Sequence, residues 1–410
     1  MNSSASALAA AGIVPDVIVC IESLDLSAKL SALPYIDDVT RIYSLSSHPN
    51  NLKTGTGPLF PVIEKLPAFE TVGELLRGPG AEVGGSVSTV AFWVAKQLGC
   101  SPLVLVGQDL AFTGYGTYAR GTTYEESRAT VTGDGKTLEF TWNAAITKAH
   151  GTAAGALATK ADLVMVDAWG GSGTVPSGVM FASFRAWFEV AAAVFAVTDP
   201  GVELVNATEG GSRVHGFKEE RLADLVGRLP VRDLAPAATL AQMAATKSPV
   251  STRQLRVWTE RQGNLAKQAG KAARRVGLCA EQAIALLEQD GEPAAVRRAF
   301  EVLGRAESYL RRTTKAQPLL EGLAYAEVQA RMEPAAGRSL SDSRAAALAS
   351  LREELSLAAT LVKNASYLER VMRAASKQTS SSVTAERNSR HVHHHANERC
   401  VAPSAAELEP

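Results

Sequence analysis

The sequence predicts an α/β core built on a mostly parallel sheet, followed by an all-α helical bundle. Short apolar, β-branched runs such as Leu103–Val106 alternate with helical patterns in the first half of the chain, which is typical of a sheet covered on both faces. Between Ala237 and about Lys377, apolar residues instead recur at three- and four-residue spacing, which indicates amphipathic helices. We therefore expect an α/β core over residues 1–235, a helical bundle over 236–377 and a disordered Ser-, Asn- and His-rich tail over 378–410.

Each core element has a local signal. Gly12 ends a short alanine-rich helix, Pro, Gly and Asn make 46–80 mostly loop, and Gly133-Asp134-Gly135 is typical of a hairpin turn. The predicted strands are Val17–Ile21, Val39–Leu45, Leu103–Val106, Leu163–Val166 and Val202–Val205. Short elements of unassigned type are expected near Leu59–Ile63 and Val72–Leu76. The predicted helices are Ala5–Ala11, one that follows Gly85, Phe181–Phe195, Arg253–Gln289, Glu292–Thr313 and Ser341–Ser376.

The charge balance argues against a nucleic-acid partner bound through bulk charge and leaves a local basic patch open. The 410 residues include 42 basic and 42 acidic side chains, so the formal net charge is zero, whereas nucleic-acid binders depend on positive charge. The cysteines lack the spacing of a metal knuckle or a redox pair and predict reduced thiols in a cytoplasmic protein. They are Cys20, Cys100, Cys279 and Cys400.

We expect neither a membrane partner nor a metal site. The N-terminus lacks the basic region of a signal peptide. The longest apolar stretch, Ala186–Val197, is interrupted by Glu189 and is too short to cross a bilayer. The tail histidines could hold a metal ion only weakly, because no folded segment is predicted around them. They are His391, His393, His394 and His395.

The predicted core is organised around the stretch from Val83 to Gly116. Gly84 and Gly85 form a flexible turn before a helix, and Ser86 and Ser88 suit the helix cap. The free N–H groups and the positive dipole end of a helix bind phosphate or carboxylate, so we predict that these four residues bind substrate. The alternative is an ordinary turn that caps a core helix.

Gln108 and Asp109 follow the predicted strand Leu103–Val106 at its carboxyl end, where open α/β sheets usually hold their ligands. Both are predicted catalytic residues. Asp109 could act as a base toward an acceptor hydroxyl, or could orient a ribose or a neighbouring side chain. The alternative is a loop or helix cap, which is a common role for Asp.

A second polar block, Asn206–Gly211, follows the last predicted strand. Asn206, Thr208 and Glu209 offer an amide, a hydroxyl and a carboxylate beside two glycines. These groups suit hydrogen bonding to a base or a sugar, so they are predicted substrate-binding residues. The alternative is a polar turn.

Four blocks in order carry a family resemblance. They are Asn2-Ser3-Ser4 with Ala11–Asp16, Gly84–Thr89, Val106–Thr113 and Asn206–Gly211, with Val175-Pro176-Ser177 as a weaker fifth. Together they resemble the motility accessory factor family of bacterial flagellin glycosyltransferases. The core domain of that family is similar to the 6-hydroxymethylpterin pyrophosphokinase-like family and, in fold, to bacterial sialyltransferases. The resemblance covers roughly Met1 to Pro230.

The resemblance implies transfer of a nonulosonic acid sugar, of the pseudaminic or legionaminic type, from its CMP-activated donor to Ser or Thr of flagellin. Flagellin and the nucleotide-activated sugar are therefore the expected partners, and Mg²⁺ is left open as a cofactor. The alternatives are an ATP-dependent pyrophosphokinase of the pterin type, or a non-catalytic flagellin-binding remnant. Members of the family carry a Gly-x-Gly-Pro-Ser loop upstream of the first block, so an N-terminally truncated core is expected here.

Overall fold

The computed structural model describes residues 4–66, 69–76, 80–119, 122, 125–144, 159–231, 235–246, 250–315, 319–320 and 343–397. The chain divides into two compact units. The first comprises Met1–Lys65 and Pro79–Lys247, and the second comprises Leu66–Gly78 and Ser248–Pro410.

Helices and strands alternate along the first unit, whereas the second is helical where it is described. The helices are α1 (Ala5–Ala10), α2 (Ser27–Ser31), α3 (Pro49–Leu52), α4 (Glu70–Leu76), α5 (Val87–Gln97), α6 (Val179–Thr198), α7 (Leu222–Arg228), α8 (Pro236–Ala244), α9 (Thr252–Glu288), α10 (Pro293–Lys315) and α11 (Ser343–Asn397). The strands are β1 (Val17–Cys20), β2 (Thr40–Ser44), β3 (Leu59–Val62), β4 (Leu103–Leu105), β5 (Arg128–Val131), β6 (Thr137–Thr141), β7 (Lys160–Asp167), β8 (Thr174–Gly178), β9 (Leu204–Asn206) and β10 (Lys218–Glu219).

Two three-stranded parallel sheets lie in the first unit. In one, β2 lies between β1 and β3. In the other, β9 lies between β4 and β10, with Leu103 opposite Leu204. The mixed α/β core and the helical C-terminal region are thus confirmed, while the sialyltransferase-like type stays a prediction.

The prediction that Leu163–Val166 belongs to the parallel sheet is wrong. These residues lie in β7, which pairs antiparallel with β6 and β8 in a four-stranded sheet. The predicted hairpin at Gly133-Asp134-Gly135 joins β5 to β6, and Gly135 has a φ of +66°. An unbroken apolar run is typical of a parallel strand that is buried on both faces. Strand β7 is instead half-exposed, with Met165 51% exposed, so its apolar run was misleading.

Aromatic side chains of α5 and α6 pack beside β4 and β9. Phe92 packs edge-on against Phe188 at 5.5 Å between ring centroids and stacks with Phe195 at 5.7 Å. Leu103 and Leu204 belong to the same apolar cluster. The two helices therefore hold these strands from one side and fix where their carboxyl ends lie.

The apolar stretch around Glu189 belongs to a longer helix than the sequence predicted, so the expectation that it is too short to cross a bilayer is wrong. Helix α6 has 20 residues and is long and apolar enough to span a bilayer by length and composition alone. It also carries an Arg185–Glu189 ion pair, and Phe188 and Ala192 pack into the core. Its other face exposes Val190 and Val197.

In the second unit, α9 and α11 pack closely through small residues. A Cβ on Gly263 would lie 3.4 Å from Met372 Cβ, a Cβ on Gly270 would lie 3.0 Å from Ala365 Cβ, and one on Gly277 would meet Ala358 at 3.7 Å. Because residue numbers rise along α9 as they fall along α11, the helices are antiparallel. Glycine at seven-residue spacing lets the two backbones approach.

The unit boundaries differ from the predicted domain boundaries. Helix α8 lies in the first unit, and residues 66–78 lie in the second. Helix α11 continues to Asn397, well into the segment 378–410 that was expected to be disordered. The rest of that segment lies outside the described residues.

Candidate functional site

The carboxyl ends of β4 and β9 are joined by two hydrogen bonds. Ala207 donates its N–H to the carbonyl of Leu105 at 2.9 Å, and Gln108 donates its N–H to Thr208 Oγ1 at 3.2 Å. Because the strands are parallel, their following loops emerge at one edge of the sheet. The structure thus brings together the predicted catalytic block and the second polar block.

A second contact fixes the backbone of Asp109. Ser212 donates its N–H to the Asp109 carbonyl at 2.7 Å. Gly211 has a φ of +67°, and a Cβ on it would lie 2.3 Å from the same carbonyl oxygen. Glycine is therefore required at position 211 both by the backbone angle and by the close approach.

Two non-glycine residues with left-handed backbone flank this contact. Leu110 has a φ of 48° and Glu209 a φ of 60°. The fully buried Ser177 donates its hydroxyl to the Leu110 carbonyl at 2.8 Å, which gives the Val175-Pro176-Ser177 block a structural role. Strained backbone of this kind is kept where the surroundings over-determine it, and such positions cluster at functional sites.

The Asp109 carboxyl has neither a hydrogen bond nor an ion pair with any described residue. Asp109 is exposed to solvent, and desolvation by the surrounding protein atoms still raises the pKa of its carboxyl above the ordinary value, with no donor or cation among the described residues to offset the effect. A raised pKa brings a carboxyl closer to the range in which it can accept and release a proton near neutrality.

Asn206 and Glu209 have structural partners. Asn206 is fully buried; its Oδ1 accepts the N–H of Thr208 at 3.2 Å, and its Nδ2 donates to the Ser212 carbonyl at 3.5 Å. Glu209 accepts the N–H of Leu222 at 2.9 Å and lies 3.5 Å from the Arg221 guanidinium. These two side chains shape the loop, and Thr208 supports Gln108.

The Gly84–Ser88 turn caps α5 through its own side chains. Ser86 Oγ accepts the N–H of Ser88 at 3.3 Å, and Gly84 donates its N–H to Thr89 Oγ1 at 3.0 Å. A Cβ on Gly84 would lie 2.5 Å from the Trp187 ring, so this glycine makes room for α6. The backbone N–H groups of Gly85, Ser86 and Val87 have no acceptor among the described residues, which leaves them available to an anion.

The polar groups that follow β7 were not among the predicted site residues. Asp167 Oδ2 lies 3.3 Å from His215 Nε2, and the Asp167 carbonyl accepts the N–H of Arg213 at 2.8 Å. Trp169 donates its ring N–H to the Asn206 carbonyl at 3.0 Å. The separation of 48 positions between Asp167 and His215 explains why the sequence gave no local signal of this pairing.

The loop 211–216 also carries an ion pair. Arg213 donates through Nη2 and Nε to the two carboxylate oxygens of Glu219, at 2.8 and 3.2 Å. Hydrogen bonds from Arg213 are the main cause of the lowered Glu219 pKa. In the part of the chain that the structure describes, no group of three or more His, Cys, Asp or Glu side chains is placed to hold a metal ion.

A family match agrees with the pterin pyrophosphokinase-like side of the resemblance. Residues 1–115 match the family described as 6-hydroxymethylpterin diphosphokinase MptE-like, and this range includes the glycine turn and Asp109. Comparison with curated proteins gives no match. Among solved structures, the chain is similar to the MAf glycosyltransferase from Magnetospirillum magneticum AMB-1, at 13% identity and a TM-score of 0.47. That alignment covers 94% of this chain and 53% of the other, so this chain spans about half the length of that protein.

Proposed function

We propose that the first unit is the core of a flagellin glycosyltransferase that transfers a nonulosonic acid sugar from its CMP-activated donor to a Ser or Thr hydroxyl. The ordered motif blocks and the family match over residues 1–115 support this choice. The expected setting is the cytoplasm, with flagellin as the protein partner, and with neither a membrane nor a nucleic acid involved.

The observation that carries the proposal is the unpartnered Asp109 carboxyl at the joined ends of β4 and β9. Its backbone is fixed by Ser212 and by the close approach of Gly211, so the carboxyl is held on a rigid support. The side chain is exposed, and desolvation by the surrounding protein atoms raises its pKa without a compensating partner. An exposed carboxyl without a protein partner is accessible to an acceptor hydroxyl and can take its proton.

In the proposed reaction, the acceptor hydroxyl oxygen forms a bond to the anomeric carbon of the sugar. The bond between that carbon and the phosphate oxygen breaks, and CMP leaves with the electron pair. Asp109 accepts the proton that the hydroxyl loses. Gln108 holds the catalytic loop through its backbone bond to Thr208.

The donor brings a phosphate and a carboxylate, and the start of α5 offers donors that suit either group. The N–H groups of Gly85, Ser86 and Val87 are the proposed anion contacts, together with the Ser86 and Ser88 hydroxyls, which lie 2.9 Å apart. Gly84 contributes by admitting the Trp187 ring. Asn206 and Glu209 contribute by shaping the loop that carries Thr208.

An ATP-dependent pyrophosphokinase is a second candidate, because the family that matches residues 1–115 is named for a pterin diphosphokinase. Mg²⁺ bound through ATP phosphates needs only one or two protein carboxylates, and Asp109 is the candidate ligand at this edge. The two functions differ in the nucleotide that they require.

Intact-mass spectrometry of flagellin tests the proposal. The full chain is incubated with flagellin and a CMP-activated nonulosonic acid, and the expected result is a mass increase of one or more sugar residues, mapped to Ser or Thr. Asp109→Asn should abolish the increase. Asp134→Asn is the matched control, because that carboxyl lies in the β5–β6 turn, and it should transfer normally.

Two results would overturn the proposal. One is sugar transfer that Asp109→Asn leaves unchanged. The other is no transfer to flagellin together with AMP release from ATP, Mg²⁺ and a hydroxymethylpterin, which would establish the pyrophosphokinase.

A further inference from the structure

The helical unit contains a cavity of about 330 Å³ between α9 and α11. Its floor is made of small and apolar residues, among them Ala266, Gly270 and Ala365, and Leu278 lies at its edge. A Cβ on Gly270 would lie 3.0 Å from Ala365 Cβ. The two helix backbones therefore come close together at the floor, and longer side chains form the walls.

Four basic side chains of α9 line this cavity: Lys267, Lys271, Arg274 and Arg275. The segment from Arg261 to Ala280 contains five basic residues and no acidic residue. The four lining side chains form no ion pair or hydrogen bond with any described residue. The concentration of charge is local, because basic and acidic side chains balance over the whole chain.

The spacing of these charges costs helix stability. Lys267, Lys271 and Arg275 follow one another at four-residue intervals, and like charges at that spacing repel. Some basic side chains of this unit do have acidic partners: Arg256 lies 3.8 Å from Glu260, and Arg352 lies 2.9 Å from Glu288. The cavity stripe lacks that compensation.

The one acidic side chain that lines the cavity does not neutralise the stripe. Glu369 of α11 accepts a hydrogen bond from Arg373 Nη2 at 2.6 Å, one turn further along its own helix. Its charge is therefore already paired. The cavity has an apolar floor and a positive wall with no acidic partner.

We propose that this cavity is a docking site for an acidic segment of a partner protein, one that presents carboxylates beside an aliphatic side chain. The cations run along the helix instead of converging on one point, which fits a row of carboxylates better than a single phosphate. The floor fits an aliphatic side chain. No aromatic residue lines the cavity, whereas sites for single-stranded nucleic acid usually combine basic and aromatic side chains. The site is independent of the reaction at Asp109.

Fluorescence anisotropy of the full chain with a labelled peptide tests the site. The probe is a twelve-residue peptide with glutamate at every fourth position and leucines between, and its counterpart carries glutamine in place of glutamate. The glutamate peptide should bind and the glutamine peptide should not. Lys271→Gln with Arg275→Gln should weaken binding about 2- to 30-fold, because exposed ion pairs contribute about 0.2–1 kcal/mol each, and added salt should weaken it further.

Two variants serve as controls. Arg297→Gln with Arg298→Gln removes the same charge from exposed positions of α10 and should bind like the unchanged chain. Leu278→Asn changes a residue that is 62% exposed. It should weaken binding of the peptide without affecting binding of inorganic phosphate or citrate. Circular dichroism checks that each variant is folded.

The proposal is overturned if the two double variants lose affinity equally, or if the glutamine peptide binds as tightly as the glutamate peptide. It is also overturned if phosphate or citrate competes fully at the peptide's own concentration, which would indicate a small-anion site. Tighter binding of a single-stranded oligonucleotide than of the peptide would indicate a nucleic-acid surface and would equally reject it.

Discussion

Gly211 lies so close to Asp109 that a Cβ built on the glycine would be 2.3 Å from the aspartate carbonyl oxygen and 2.5 Å from its Cα. The next residue, Ser212, donates its N–H to that carbonyl at 2.7 Å. The loop after β9 therefore holds the loop after β4 in place. The proposed catalytic carboxyl is thus positioned by a backbone contact between residues about one hundred positions apart.

Gly211→Ala should destabilise the first unit by at least about 2 kcal/mol. The left-handed backbone alone costs an alanine about 1–2 kcal/mol, and the clash with Asp109 adds to it. Denaturant unfolding of the full chain measures the loss, and any nucleotide binding should fall with it.

Gly210→Ala is the matched control for that substitution. A Cβ at position 210 meets nothing within 4 Å, and Gly210 does not have a left-handed φ. Its effect should stay within about 1 kcal/mol, so equal losses at the two positions would contradict the close packing of Gly211 on Asp109.

Asp109→Asn should raise the melting temperature at neutral pH while abolishing function. The folded-state pKa of Asp109 lies above its ordinary value of 3.8, so the folded chain binds this proton more tightly than the unfolded chain does. Its contribution to the free energy of unfolding therefore falls as pH rises from about 4 through the folded-state pKa. Thermal scans at several pH values should show this pH-dependent loss of stability in the unchanged chain and not in Asp109→Asn.

Asp134→Asn should behave in the opposite way. Hydrogen bonds from Thr132 and from the Lys136 N–H are the main causes of the lowered Asp134 pKa, so this carboxylate stabilises the fold above pH 3.8, and the contribution is lost as pH falls through the folded-state pKa. The substitution should lower stability at neutral pH. If Asp109→Asn and Asp134→Asn shifted the melting temperature at neutral pH in the same direction, the environments assigned to the two carboxyls would be contradicted.

Thr208→Val should cost about 1 kcal/mol, because it leaves the Gln108 N–H without its acceptor. Thr208→Ser keeps the hydroxyl and should retain most of the stability. Slower amide exchange at Gln108 in the serine variant than in the valine variant would identify the lost bond directly. Equal exchange would show that Thr208 does not hold the catalytic loop.

Gly304→Ala should stabilise the helical unit by about 0.5–1 kcal/mol. Gly304 lies inside α10, and an added Cβ would meet nothing within 4 Å, so only the helix preference for alanine acts. Gly270→Ala gains the same preference but must displace Ala365, so its net gain should be smaller. Denaturant midpoints of the two variants compare them, and a larger gain at position 270 would contradict the close α9–α11 contact.

Local signals were enough to predict most elements, because glycine, proline and apolar spacing act over a few residues. The predicted helix Arg253–Gln289 matches α9 (Thr252–Glu288), and its start is explained by the capping box of Ser251 with Gln254. Strand pairing depends on distant partners, and for that reason the antiparallel pairing of β7 could not be read from its apolar run.

The site shows the same limit. Sequence reasoning correctly placed Asp109 and Thr208 beyond strand ends that meet. It could not reveal that Asn206 is fully buried or that Glu209 caps the next helix through Leu222, because polar side chains in a turn look alike whether they bind a ligand or the protein. The left-handed backbone of Leu110 could not be predicted either, because leucine is not a residue type that favours this conformation.

The most direct test of the central claim is ligand-observed NMR of the full chain with CMP, and with ATP plus Mg²⁺, repeated with Asp109→Asn and with Asp134→Asn. The proposed glycosyltransferase predicts saturation transfer to CMP that weakens in Asp109→Asn and persists in Asp134→Asn, with no comparable signal from ATP. The proposal would be contradicted if the chain bound ATP and not CMP. It would also be contradicted if CMP bound equally well to the unchanged chain and to both variants.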